Sequence, residues 1–185
     1  MVTIGDVAAL KAIGGPIHSW WRRRFGKPYL SLQLDRGAPF EITEPGDAEG
    51  HAVRFFRVRV TNNGPQDFVC LAKLEEMVRT DRTPFKNAFL PVGLKTQHQH
   101  LQQRDGGRFN LRVGESKLIE VACLDERDQN SEIVLRYESN EYPNTVPRAD
   151  YSLVLRVYGG GRPASGRYRL YVDARGYLKL VEESR

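Results

Sequence analysis

The sequence predicts an all-β chain: one antiparallel two-sheet β-sandwich over residues 29–185, preceded by a short helical segment over 1–28. Three observations predict it. From Tyr29 onward the apolar residues recur at period two, which suits half-buried strands. Turn-forming Gly, Pro, Asn and Asp interrupt these runs at short intervals. No helical pattern separates one run from the next, which excludes an alternating β-α-β architecture.

The N-terminal segment has a different period. Val7, Leu10, Ile13, Ile17 and Trp20/Trp21 recur at spacings of three and four, giving one apolar helical stripe over residues 4–25. Gly14-Gly15-Pro16 breaks it, because proline cannot donate within a helix and disfavours helix in the preceding residue. Two short helices are expected, ended by Gly26-Lys27-Pro28.

The strands follow in order. Leu30, Leu32 and Leu34 mark the first, and a polar loop spans Arg36–Gly50. Val53–Thr61 is a long strand with Phe56, Val58 and Val60 facing inward and Arg57, Arg59 and Thr61 outward. Asn62-Asn63-Gly64-Pro65 is a turn signal. Phe68, Cys70, Ala72 and Leu74 share the inner face of a third strand, and 78–88 reads as a polar connection. A short strand covers Phe89–Leu94, then a polar loop Gln97–Gly107. Phe109–Val113 and Lys117–Leu124 are joined by Gly114-Glu115-Ser116. Ile133, Leu135 and Tyr137 mark another strand, followed by a loop over 139–149. Tyr151–Val157 and Tyr168–Val172 are strands around Gly159-Gly160-Gly161. Asp173–Gly176 turns the last of these into Tyr177–Val181, a hairpin with a glycine bulge. Nine or ten strands result.

Composition bounds the class. The 185 residues are 40% hydrophobic and 28% charged, enough for a core and unlike a disordered chain. The net charge of +5 is unevenly placed: residues 1–28 carry +4, while 23 basic and 22 acidic side chains nearly cancel over the rest. The sandwich is expected to be near neutral, with the basic character in the N-terminal segment. The start shows neither a signal-peptide pattern nor a run of roughly 20 apolar residues that would cross a membrane. A cytoplasmic location is therefore expected, with Cys70 and Cys123 as free thiols.

Three stretches carry a resemblance. RVRVTNNGPQDFVCLAKL (57–74) resembles the B–C hairpin of bacterial immunoglobulin-like domains. LRVGESKLIEVACL (111–124) is similar to the turn that leads into a central strand of those domains, and SGRYRLYVDARG (165–176) is similar to their last strand. The similarity extends to adhesion-related and, more loosely, fibronectin-III-like modules, over some two thirds of the chain. It implies an immunoglobulin-like sandwich used for interaction, and it transfers no catalytic residue, because the shared positions are turns and core. It also supplies the alternative of a Cys70–Cys123 bridge between the sheets.

Candidate chemistry is sparse. His98 and His100 form a His-x-His pair that, if extended, would put both rings on one side, as a metal site requires. A metal-binding or enzymatic sandwich centred on that loop is one alternative reading. No second ligand cluster accompanies the pair, so a polar loop is the simpler account and no cofactor is expected. Cys70 beside a histidine would suggest nucleophilic catalysis, but its apolar face suggests an inert thiol. Glu75-Glu76 and Asp125-Glu126 read as solvated carboxylates at strand ends rather than an acid–base pair. Arg54, Arg57 and Arg59 could line a phosphate-binding face, yet a near-neutral sandwich disfavours nucleic acid. No nucleophile elbow or phosphate loop is present.

The sharpest feature is Trp20-Trp21-Arg22-Arg23-Arg24-Phe25. Both tryptophans of the chain directly precede three arginines. Tryptophan favours membrane interfaces, and each basic residue near an anionic surface contributes about 1 kcal/mol. The expected function is a non-enzymatic interaction module whose N-terminal segment docks to a protein partner or an anionic membrane surface, making the protein cytoplasmic and peripheral to a membrane. Packing of the segment on the sandwich, homo-oligomer formation through it, and a structural subunit of a bacterial or phage assembly with edge strands pairing to neighbours are the competing readings.

Overall fold

A computed structural model describes residues 29–45, 52–81, 90–96, 108–128, 130–137 and 144–183. The expected helical segment 1–28 lies outside the described residues. The strands are β1 (Leu30–Gln33), β2 (Glu41–Pro45), β3 (Ala52–Asn62), β4 (Phe68–Arg79), β5 (Val92–Gly93), β6 (Arg108–Leu111), β7 (Ser116–Asp125), β8 (Ile133–Leu135), β9 (Thr145–Val146), β10 (Tyr151–Tyr158), β11 (Ala164–Val172) and β12 (Leu178–Glu182). They form two antiparallel sheets. One runs β1-β3-β7-β8-β9 with β2 also on β3; the other runs β12-β11-β10-β4-β5 with β6 also on β4. Among the described residues no helix is long and apolar enough to cross a membrane.

The long strands are where the sequence alternates. In β4 the apolar face Phe68, Cys70, Ala72 and Leu74 is buried while Val69 is open to solvent. In β10 Tyr151, Leu153, Leu155 and Val157 do the same. Both inner faces feed one continuous buried cluster, with Val58, Val60 and Ile119 from the first sheet against Leu74, Leu153 and Tyr168 from the second. Truncating any fully buried leucine here to alanine costs about 2–5 kcal/mol.

Each sheet has a divided edge. β1 covers the C-terminal half of β3, with Leu30 opposite Asn62, and β2 covers the N-terminal half, with Glu41 opposite Phe56. β6 and β5 share the edge of β4 likewise. β2 lies inside the expected loop 36–50. Its sequence, EITEP, offers a single large apolar residue, so periodicity could not reveal it; the open edge of β3 recruits it.

Two bulges re-aim side chains. Phe56 stands opposite Ala122 and Arg57 opposite Glu120, so Val121 is the extra residue of β7. Ala122 and Leu124 therefore join Ile119 in the core, and Cys123 turns to the outer face. Unbroken alternation from Ile119 through Val121 would have kept Cys123 on the inner face. In β4, Leu74 is opposite Leu155 and Glu76 opposite Val154, leaving Glu75 extra. Leu74 and Met77 both reach the core, and the Glu75-Glu76 pair sits mid-strand rather than at a strand end.

The connection after β3 also differs from a hairpin, because β3 and β4 belong to different sheets. Asn62, fully buried, organises the crossing: its Nδ2 donates to Gln66 O (2.9 Å) and Leu111 O (3.0 Å), and its Oδ1 accepts from Gly64 N (2.8 Å). The last hairpin forms as expected, with Asp173 Oδ1 accepting from Arg175 N and Tyr177 N and Gly176 at φ 85°.

One short segment changes sheets. Leu94 N donates to Ala72 O of β4 (2.9 Å). The next residue turns to the other sheet: Lys95 N donates to Arg136 O (3.0 Å), and Lys95 O accepts from Glu120 N (2.8 Å).

Candidate functional site

Of the residues singled out from sequence, Trp20, Trp21, Arg22, Arg23, Arg24, Phe25, His98 and His100 lie outside the described residues. The thiols and arginines are described. Cys70 and Cys123 are free and buried. Burial pushes each thiol up to about 11, so neither supplies a nucleophilic thiolate near neutral pH.

Arg54, Arg57 and Arg59 do not form one face. Arg54 follows the parity of Phe56 and closes the end of the sandwich. It pairs with Glu41, and its Nε lies 2.6 Å from Glu126 Oε1, with the guanidinium 5.1 Å from the Tyr177 ring centre. Arg59 covers the Phe40 ring at 4.7 Å. Arg57 enters a buried network.

That network gathers the most chemistry on the described surface. Arg57 is 3% exposed and Glu120 8%. Arg57 Nη2 donates to Glu120 Oε1 (3.1 Å) and Glu44 Oε1 (3.2 Å), while Arg136 Nε donates to Glu120 Oε2 (3.1 Å). Both guanidiniums also lie over the Phe55 ring, Arg57 at 5.7 Å and Arg136 at 5.5 Å from its centre. Cys123 borders the group, opposite Phe55 in the register. β2, β3, β7 and the residue after β8 each contribute, so the network ties four segments across the outer face. Alternation along β3 places Arg57 outward, but its partners stand 13 and 63 residues away, too remote for any local signal of its burial.

Several other polar groups are engaged. Tyr158 donates to Glu75 Oε1 (2.6 Å), and that hydrogen bond holds the phenol above its ordinary value. Glu126 is committed to Arg54, and Asp125 Oδ1 caps Arg127 N (3.0 Å). A surface cleft of about 410 Å³ is lined by Arg148, Asp150, Arg169, Tyr171 and Asp173. Its charges face one another: Arg169 binds Asp150 through two nitrogens, and Arg148 binds the carbonyls of Asp125, Asp128 and Ser131. Among the described residues no three His, Cys, Asp or Glu side chains converge as metal ligands. The arrangement can brace loops and strands.

The chain matches no protein-family model, no curated protein and no solved structure.

Proposed function

We propose that this chain is a non-enzymatic, immunoglobulin-like interaction module whose segment Trp20–Phe25 docks to a protein partner or an anionic membrane surface. The observation that carries the immunoglobulin-like reading is strand order. β1-β3-β7 and β4-β10-β11 run as strands A-B-E and C-F-G do in such domains. A second feature agrees: Tyr151 opens β10, the F position, and its hydroxyl donates to Pro147 O four residues upstream (2.9 Å), the geometry of a tyrosine corner. β8 and β9 depart from the pattern, since they follow the E-position strand instead of preceding it.

Interaction rather than catalysis is supported by the internal pairing of the buried charges and by the two protonated thiols. Docking through the N-terminal segment is supported by its charge of +4, against near neutrality for the rest. A full-length variant with Trp20, Trp21 and Arg22–Arg24 replaced by alanine tests it. Loss of co-sedimentation with phosphatidylserine vesicles or with the partner, at unchanged Tm, is the expected result. A wild-type chain that ignores vesicles, and whose association in solution is unchanged by the alanine variant, overturns the docking. A large drop in Tm assigns the segment to packing on the sandwich instead.

A further inference from the structure

We infer that two copies of this chain associate by antiparallel pairing of β12 with β12, in a register centred on Val181. The inference stands independently of docking at residues 20–25.

An exposed sheet edge is a template for another strand unless something blunts it. Among the described residues, three of the four lateral edges are blunted. β1 and β2 are separated by the turn at 34–40, and β2 ends in Pro45; β5 and β6 are likewise separate; β9 has two residues. β12 is five residues long, without proline or bulge, and among the described residues it pairs only with β11.

The hydrogen-bond phase fixes which groups are free. Glu183 N donates to Arg167 O and Asp173 N to Tyr177 O, both at 2.9 Å. The odd-numbered residues of β12 therefore turn their backbone groups toward β11. By the alternation of antiparallel ladders, the N–H and C=O of Leu178, Leu180 and Glu182 face outward.

The side chains then select the register. Tyr177, Lys179, Val181 and Glu183 alternate with buried Leu178 and Leu180. Within one chain Lys179 Nζ reaches Glu41 Oε1 of β2 at 3.8 Å and Glu183 Oε2 accepts from Ser152 Oγ at 2.8 Å, so pairing with a second copy exchanges these two contacts for intermolecular ones. Tyr177 and Val181, each 39% exposed, are two of the five exposed large hydrophobics among the described residues. A two-fold axis through Val181 puts it against its own copy. Leu180 and Glu182 of one chain then exchange backbone bonds with Glu182 and Leu180 of the other. Lys179 stands directly opposite Glu183 of the second copy, twice per dimer, at a non-hydrogen-bonded position where side chains approach most closely. Centring the axis on Leu180 instead would set Lys179 against valine and forgo both charge pairs. Lys179 thus blunts the edge toward other strands and matches it to its own sequence.

Sedimentation equilibrium of the full chain, with two single-charge variants, tests this. Wild type is expected to dimerise reversibly. Lys179→Glu alone and Glu183→Lys alone each turn two opposite-charge pairs into like-charge pairs, raising the dissociation constant about tenfold or more. Mixing the two variants restores both pairs, so the mixture is expected to recover a heterodimer of near wild-type affinity. A wild-type chain that stays monomeric up to about 100 μM, a dimer indifferent to either substitution, or a mixture that fails to recover overturns the inference.

Discussion

Arg57 and Glu120 stand directly opposite each other in the register of β3 and β7, and the guanidinium donates to the carboxylate at 3.1 Å with both residues nearly closed to solvent. The pair sits beside the β7 bulge, so it also marks where the two strands regain register. An ion pair removed from water gains little over an apolar pair of equal volume, but half of one is expensive.

Glu120→Ala should therefore destabilise by about 3 kcal/mol, the lower end for a broken buried pair because Glu44 stays beside Arg57. Arg57→Met with Glu120→Leu should return to within about 1 kcal/mol of wild type. Urea unfolding of the three proteins measures both, and equal losses in single and double variants would contradict the pairing.

Tyr151→Phe removes the hydroxyl that reaches back to Pro147 O. The ring keeps its buried place, so the loss should be about 1 kcal/mol, the net worth of one hydrogen bond. It should appear in thermal unfolding without change in the far-ultraviolet spectrum.

Gly160 has φ 62°, and a Cβ there would stand 2.4 Å from ring atoms of Phe68. Phe68 is 8% exposed and stacks on Tyr29 at 6.0 Å, so it has little room to yield. Gly161, at φ 102°, has nothing within 4 Å of the same position. Both alanine substitutions carry backbone strain of about 1–2 kcal/mol, but Gly160→Ala should cost distinctly more than Gly161→Ala. Equal Tm shifts would mean that Phe68 moves freely.

The thiols give a pH dependence. Burial holds Cys70 and Cys123 near 11 in the folded chain, above the ordinary 9.0. The folded state retains these protons longer than the unfolded one, so stability is intact below pH 9 and falls as pH rises toward 11. Each thiol steepens that fall by up to about 1.4 kcal/mol per pH unit. Cys123→Ala should flatten the slope within this window and leave it unchanged below. Ellman's reagent at pH 8 should react slowly with the folded protein and rapidly in urea.

Much of the fold was legible because its long strands alternate cleanly; β3, β4, β7, β10 and β11 follow from period two alone. What escaped has physical causes. β2 offers a single large apolar residue, and β9 is two residues long with only Val146 in the core, too short for any repeat to show. The bulges at Glu75 and Val121 shift side-chain parity by one, which no repeat can announce, and so moved Cys123 to the outer face. The burial of Arg57 depends on Glu44 and Glu120, brought in by strand pairing. The two segments that sequence favoured as sites, around Trp20 and His98, lie outside the described residues, so their assignment rests on residue chemistry alone.

The segment 92–96 has a mechanical consequence. Layers that met only through side chains could slip past each other by exchanging one set of contacts for another. Here successive residues hang from opposite layers, Leu94 from Ala72 and Lys95 from Arg136. Sliding by a single residue step would rupture covalently linked anchors on both sides at once. The two layers are thus riveted through the main chain at this point, so shear of one sheet past the other must break backbone hydrogen bonds as well as side-chain contacts.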